Sequence, residues 1–429
     1  MLNYIELENF RAFSKRTRIE FRPITVLIGK NSSGKSSVLK FLQMLRQSVN
    51  GHEGPFFQLE GRHVNLGAWK DLKNRSARGR YFKYEIGFQS RLSQMSHHIR
   101  QTMKSREKGV ALGRDIAVAG IPVVDYRIRG ERFYFGNGTR GTFDMVAKEA
   151  GEKVYGRNFG DLAEIGFLGF PMIVKDPQAA YEAVMNDQFF LAPAREFFSE
   201  IKHLGPTRNE SPRTIQAESP PDGEVGHKGE HALAHLVRML DAKRKKKDMP
   251  FVLKFCESVL HMDRMELRDQ IPGLLASFEA RNTDTQVKHW LADFGFGVSQ
   301  CLPIFVQGAL MQNEGLLTIE QPEAQLHPTA QLELGSFFAE LWSERGVSSI
   351  IETHSGNILL RLRGLVRAGK LKPEDVSVAY FHAENSVTTV SNLKVKPDGE
   401  LDGNLPMEFF GADIFEALEF NAIPVGGIE

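Results

Sequence analysis

The sequence predicts an α/β fold in which short strands alternate with helices around a mostly parallel sheet. Three observations carry that expectation. The apolar run Ile24–Ile28 leads into a Gly/Ser-rich loop and then a helical stretch, the order of a buried strand feeding a helix. From residue 290 onward, strand-like and helix-like segments alternate regularly. Composition is that of an ordinary folded domain, with 41% hydrophobic and 25% charged residues among 429.

Taken in order, Tyr4–Leu7 and Thr17–Phe21 mix β-branched, aromatic and polar residues and read as strands, Ile24–Ile28 as a fully buried one, and Ser37–Gln47 as a helix. Arg80–Phe88 and Tyr126–Phe135 read as strands, the second broken by Gly130. Leu92, Met95, Ile99 and Met103 recur at helical spacing with basic residues between them, so a helix is expected there. Phe189–Glu200 and Glu230–Lys247 also read as helices. Gly205–Gly229, with four Pro and four Gly, reads as loop. A helix then starts at Gly297, followed by strand Leu316–Ile319, helix Thr329–Glu344, strand Ser348–Ile351, helix Asn357–Ala368 and strand Val376–Phe381.

The length suits one large domain with insertions or two modest ones. No apolar run approaches the roughly 18 residues of a membrane span, and the first residues lack a basic-then-apolar leader. Cys256 and Cys301 make neither a disulfide framework nor a paired-cysteine zinc site. A secreted scaffold, a membrane-spanning subunit and a zinc finger are thereby disfavoured, and a reducing cytoplasm is expected. Net charge is +1, but unevenly spread. Residues 1–50 hold nine Lys/Arg against three acids, residues 62–108 twelve against three, and Pro397–Glu429 eight acids with no Lys or Arg. Phosphate-bearing or acidic partners are the expectation for the basic half, against a plain solvated surface.

Gly29-Lys30-Asn31-Ser32-Ser33-Gly34-Lys35-Ser36 matches the phosphate-cradling pattern G-x-x-x-x-G-K-[ST], in the right strand-to-helix context. The glycines let backbone N–H groups turn toward phosphates, and the helix N-terminus adds its positive end. Lys35 is expected to reach the β- and γ-phosphates of ATP and Ser36 to ligate Mg²⁺. A second metal-holding acid is expected at the end of a neighbouring strand, and Glu320 closes the apolar run Leu316–Ile319. Asp293–Gln300 (DFGFGVSQ) begins a helix where Gly297 and Ser299 offer N–H groups and a hydroxyl to a phosphate. His354, just after strand Ser348–Ile351, is placed to touch a γ-phosphate or the attacking water. Taken alone, each of these last features is more often a plain helix start or a satisfied surface histidine. His231 and His235 are four apart, a metal-ligand spacing without a third ligand in view.

The order of these motifs resembles the ABC-type ATPases of the SMC-like, OLD-related group. The opening IELENFRAFSKRTRIEFRPITVLIGKNSSGKSSVLKFL resembles their N-termini. FGFGVSQCLPIFV, IEQPEAQLHP, IIETHSGNILLRL, HLGPTR and VGHKGE resemble stand-alone prokaryotic AAA-type ATPases that end in a conserved domain of unknown function. The resemblance is specific over residues 1–40 and 200–410 and weak through 90–200. It implies a P-loop NTPase with an ABC-type ATPase head and an inserted, partly helical subdomain. The division would be an N-terminal lobe at 1–90, the insertion at 91–270, a C-terminal lobe at 271–396 and an acidic tail at 397–429. By resemblance, Gly29, Asn31, Ser32, Gly34, Lys35, Ser36 and Ser37 bind nucleotide, and Arg11 lies near the phosphates or base. Glu320 joins Ser36 on Mg²⁺. Gly297, Ser299 and Gln300 form a signature acting on a partner subunit's ATP, and His354 is the switch histidine. The Q-loop glutamine stays unassigned between Gln58 and Gln89.

One departure stands out. The position after Glu320, where many ABC ATPases place a water-activating glutamate, is Gln321. An amide orients water but cannot take its proton. A slow native ATPase is the favoured expectation, with Glu323 as a substitute base or an ATP-trapping exchange as alternatives. Only 75 residues follow His354, without a paired-acid strand end, so no nuclease is expected on this chain. The expected function is a switch that dimerises around ATP and Mg²⁺ and controls a separately encoded effector, a toxin or nuclease, in anti-phage defence. A DNA-repair ATPase clamping nucleic acid through Arg91–Lys108 and Lys243–Lys247 is the alternative, and a transporter subunit the weakest.

Overall fold

The computed structural model describes residues 1–50, 58–76, 81–89, 96–104, 110–118, 121–129, 132–135, 140–142, 192–216, 223–240, 248–271, 275–311, 315–384 and 387–405. In chain order the first elements are β1 (Leu2–Glu8), β2 (Thr17–Glu20), β3 (Ile24–Gly29), α1 (Lys35–Asn50), α2 (Trp69–Leu72), β4 (Tyr81–Gln89), β5 (Ser96–Lys104), β6 (Val110–Val118), β7 (Ile121–Arg129), β8 (Arg132–Phe135) and β9 (Arg140–Thr142). Then come α3 (Ala192–Ser199), β10 (Ile201–Leu204), β11 (Ile215–Gln216), α4 (Ala232–Leu240), α5 (Asp248–Leu260), β12 (Met262–Ile271), β13 (Leu275–Asn282) and β14 (Lys288–Trp290). The last elements are α6 (Phe296–Leu310), β15 (Leu316–Glu320), α7 (Pro328–Arg345), β16 (Ser348–Glu352), α8 (Gly356–Arg367), β17 (Val376–Glu384) and β18 (Val387–Lys394).

The chain divides into two compact units. The first comprises residues 1–21, 30–201 and 381–391, the second residues 22–29, 202–380 and 392–429. In the first unit the strands form one sheet in the order β2-β1-β4-β5-β6-β7-β8-β9, with antiparallel pairing. Strand β4 buries Phe82, Tyr84, Ile86 and Phe88 along one face, and Glu85 and Gly87 between them are buried too. Helix α1 buries Val38, Leu39, Phe41, Leu42, Met44 and Leu45. Phe41 meets the Tyr84 ring edge-on at 5.1 Å, and Phe10 lies 5.4 Å from both Phe41 and Phe82.

In the second unit the central sheet runs β10-β15-β16-β3-β17-β18, with parts of β17 and β18 (residues 381–391) grouped with the first unit. Strands β15, β16 and β3 are parallel neighbours and almost wholly buried, as a sheet covered on both faces requires. Helices α5, α6 and α7 pack a phenylalanine cluster in which Phe337 touches Phe251, Phe255, Phe305 and Phe338. A Cβ at Gly308 would lie 2.7 Å from the Phe337 ring, so the helix crossing depends on the bare backbone there. Strands β12, β13 and β14 form a separate antiparallel sheet with β11.

Most of the alternation from Gly297 onward stands where the sequence puts it. The helix expected through Leu92–Met103 does not. Residues 96–104 are strand β5, with Ile99 opposite Ile86 and Met103 opposite Phe82. Four residues is a multiple of the strand period as well as nearly one helical turn, so the Ile99–Met103 spacing fits both, and pairing with β4 decides it. The helix expected at Phe189–Glu200 gives way at Ile201 to β10, a strand in residues 201–204 for which the sequence carried no reading. Strands β12–β14 were not foreseen either. Lys243–Lys247 and the acidic tail beyond residue 405 lie outside the described residues, as do the side chains of Arg91–Lys108.

Candidate functional site

The phosphate-loop residues Lys30–Ser37 belong to the first unit. Ser33 N–H donates to Lys30 O (3.2 Å) and Ser37 N–H to Gly34 O (3.0 Å), which winds the loop into the first turn of α1. Gly34 has φ +107°, and a Cβ there would lie 2.8 Å from that of Ala12. Both backbone angle and space therefore demand glycine. Asn31 and Ser32 are exposed, Lys35 is buried with Nζ donating to Lys30 O (3.0 Å), and Ser36 and Ser37 are half-buried. The Ser33 carbonyl accepts from Thr388 Oγ1 at 3.1 Å, tying the loop to β18. Arg11, at φ +43°, has its backbone fixed by Leu72 and Asn74. Its Nη1 is buried with no hydrogen-bond partner, and burial lowers its pKa. A buried cation with an unpartnered nitrogen suits an anion.

The remaining expected residues belong to the second unit. Parallel register sets Glu320 beside Glu352, and Glu352 beside Leu27, at the carboxyl ends of β15, β16 and β3. Ligands of open parallel sheets bind outside such strand ends. Glu320 and Glu352 are only 9% and 4% exposed. Two neighbouring buried carboxylates repel, and a divalent cation with oxygen preference is the natural complement. Glu323 adds a carboxyl whose Oε1 accepts from His354 N–H (2.8 Å) and whose Oε2 is buried without a partner. Burial holds its pKa above the usual carboxylate range. Glu320 and Glu352 thus offer two carboxylates of the oxygen type that Mg²⁺ prefers, short of a three-residue metal site among the described residues.

After Glu320 the chain turns sharply. Gln321 sits at φ +47° and Gln325 at φ +62°, two non-glycine residues in the left-handed region, and Gln321 N–H donates to Glu352 O at 2.7 Å. Such outliers persist where the surroundings over-determine them. Arg208 supplies that constraint. It is 2% exposed, and its guanidinium donates to Glu320 O (2.8 Å) and Gln321 O (3.4 Å). Burial lowers its pKa to about 10, which leaves it charged at neutral pH. His203, on β10, places Nδ1 2.9 Å from Thr318 Oγ1 and Nε2 3.5 Å from Glu320 Oε1. His227 stacks on it at 5.0 Å, and burial with the neighbouring His203 lowers the pKa of His227. Gly205 makes room, since a Cβ there would lie 2.6 Å from His227 Nε2.

Gly297 lies in the first turn of α6, and Ser299 is buried one turn in, with its hydroxyl accepting from Ser211 N–H (2.9 Å) and bonded to Ser211 Oγ (3.2 Å). Gln300 is buried and donates to Arg208 O at 3.3 Å. Phe296, between Gly295 and Gly297, is 46% exposed. His354 is exposed, and Ser355 caps α8 by accepting from Asn357 N–H. His235 is buried on Glu224 O, and among the described residues no group of three or more His, Cys, Asp or Glu could hold a metal. The second unit thus brings together Glu320, Gln321, Glu323 and His354, and joins them to the start of α6, where Gln300 bonds Arg208 O and a Cβ at Gly297 would lie 3.2 Å from Leu326. Sequence reasoning missed Arg208, His203, His227 and Glu352 as members of this constellation. The signal available was the pair of motif-like stretches HLGPTR and VGHKGE, which had no assigned role.

The model of the AAA ATPase domain family matches residues 1–85 and 240–359, a span that contains the phosphate loop, Ser299, Glu320 and His354. No curated protein matches the sequence. Among solved structures, the SMC head domain from Thermotoga maritima is similar at 11% identity, covering 91% of this chain and 98% of that one, with a TM-score of 0.42. An SMC head bound to the C-winged helix domain of ScpA has 11% identity, coverage of 92% and 98% and a TM-score of 0.49. An SMC head with an extended coiled coil, bound to the C-terminal domain of ScpA derived from Pyrococcus furiosus, has 9% identity, coverage of 98% and 99% and a TM-score of 0.45. Among the described residues no helix is long and apolar enough to cross a membrane. The phosphate loop after a buried parallel strand, together with the matched family model, makes this a P-loop NTPase fold.

Proposed function

We propose that the chain is an ATP-dependent switch that hydrolyses ATP slowly, dimerises around ATP and Mg²⁺, and governs a separately encoded effector, in the setting of anti-phage defence. The observation that carries the slow switch is the end of β15. There the residue after Glu320 is an amide held in a left-handed turn by Arg208 and Glu352 O. Lys35 and the N–H groups of the loop bind the phosphates, with Arg11 beside them. By resemblance Ser36 and Glu320 would each offer Mg²⁺ an oxygen, and the ion would supply charge neutralisation for phosphoryl transfer. Gln321 orients water without accepting its proton, and Glu323, whose carboxyl is destabilised as an anion by burial, stands two residues after it.

Dimerisation is supported by α6. Exposed Phe296 offers an apolar anchor beside Gly297 and Ser299. The Ser299 hydroxyl is engaged by Ser211, so presenting it to a partner's nucleotide requires release, a two-state step that ATP can bias only by binding one state better. Sedimentation with and without ATP and Mg²⁺ tests this. A dimer should appear with nucleotide and be lost in Ser299→Arg, while each subunit still binds ATP. A monomer under all conditions would contradict the reading. Co-purification with the products of adjacent genes tests the effector, and nucleic-acid cleavage by the chain alone would contradict it.

A further inference from the structure

The segments that leave the parallel neighbours β15 and β16, residues 321–327 and 353–357, are stitched to each other along their length. Gln321 N–H donates to Glu352 O at 2.7 Å. Glu323 Oε1 accepts from His354 N–H at 2.8 Å. Gln331, at the start of α7, closes the far end. Its Nε2 donates to Leu326 O (2.9 Å), and its Oε1 accepts from Ser355 Oγ (2.7 Å) and Asn357 Nδ2 (3.0 Å). On the other side Thr353 N–H donates to Leu27 O at 3.2 Å. Thr353 and Ser355 are buried, and His354 between them is exposed. The backbone is thus fixed, and the imidazole is what the segment presents.

We propose that Glu323 is a positioning residue for ATP hydrolysis, holding His354 in register with Gln321, and is not the acceptor of the attacking water's proton. The inference rests on the reading of the chain as an ATPase with Gln321 and His354 beside that water. A general base must stand within hydrogen-bond reach of the proton it takes. Of the two Glu323 oxygens, Oε1 is engaged by His354 N–H and Oε2 is buried away from solvent. Neither is presented to a water. The clamp asks one thing of side chain 323, an acceptor oxygen at the reach of a carboxyl group. Glutamine supplies that oxygen and alanine does not. A proton acceptor asks for basicity, which glutamine lacks as fully as alanine. The two roles therefore rank the same pair of substitutions differently. Support of this kind matters because a reacting group displaced by about 1 Å can cost about 10²-fold in rate.

The test compares full-length wild type, Glu323→Ala and Glu323→Gln in phosphate release with ATP and Mg²⁺, and in amide hydrogen exchange over residues 353–357. Glu323→Ala should lower kcat about tenfold or more with little change in KM, because the phosphate loop is untouched. Glu323→Gln should recover most of that loss. Exchange over residues 353–357 should quicken in Glu323→Ala and return toward the wild-type rate in Glu323→Gln. Glu323→Gln as slow as Glu323→Ala overturns the proposal and makes Glu323 the proton acceptor. Wild-type turnover in Glu323→Ala overturns it as well. If Glu323→Ala does not fold, Glu323→Gln against wild type decides, since a loss of about tenfold or more in that variant alone contradicts positioning. A wild type that releases no phosphate strikes the ATPase reading instead. The exchange measurement then judges the clamp by itself, and equal protection in all three proteins rejects it.

Discussion

The phosphate loop and the carboxyl end of β15 solve the same problem, presenting charge to a ligand, by opposite means. The loop does so with local backbone: Gly34 adopts φ +107° against Ala12, and Lys35 folds onto Lys30 O five residues away. The strand end does so with distant side chains. Arg208 holds the carbonyls of Glu320 and Gln321 from 112 and 113 positions away, and His203 reaches Thr318 across 115. A mainly local device tolerates little variation within itself, and this one still takes the Thr388 hydrogen bond and the close Ala12 contact from elsewhere. A long-range device is only as good as the packing that delivers its parts.

The largest expected effect lies at the strand end. Gln321→Glu should raise turnover by about 10²-fold or more if loss of a proton acceptor limits hydrolysis, read as phosphate release at saturating ATP. Fast wild-type hydrolysis indifferent to position 321 would mean that Glu323 or His354 already takes the proton, and would erase this contrast between the regions. Arg208→Met comes next. It should cost about 1–3 kcal/mol for each buried carbonyl deprived of its donor, partly offset by relief of a buried charge, and be read as a lower urea midpoint. An unchanged midpoint would show that the turn at Gln321 holds itself.

These two regions also differ in how far sequence revealed them. The loop pattern compresses every requirement into eight consecutive residues, so Gly29–Ser36 and the flanking strand and helix were legible at once. Glu320 was legible because an apolar strand ending in an acid is a short-range pattern. Arg208, His203 and His227 were not, because nothing near them in sequence says which strand they will meet. Strand β5 was misread for a related reason: Ile99 and Met103 satisfy both periods, and their partners on β4 settle the matter. The antiparallel strands β12–β14 carry exposed ion pairs such as Arg268 with Glu279 and Lys288 with Glu266, which blur the alternation that would have shown them.

A smaller effect sharpens the picture of the strand end. Burial and His203 depress the pKa of His227 below the ordinary 6.5. A histidine depressed in the folded state contributes its full stability above the unfolded value, and loses it as pH falls through the folded value. Denaturation midpoints should therefore decline below about pH 6.5. In His227→Gln that part of the slope should flatten. A slope unaltered by the substitution would place the titrating group elsewhere.

The central claim is that the chain binds ATP through the loop that begins at Gly29. Calorimetric titration of ATP into wild-type protein and into Lys35→Ala tests it most directly. The account predicts saturable binding by the wild type and at least a tenfold weaker affinity once the Lys35 ammonium is removed. Equal affinity in the two proteins, or no binding by the wild type, would contradict it.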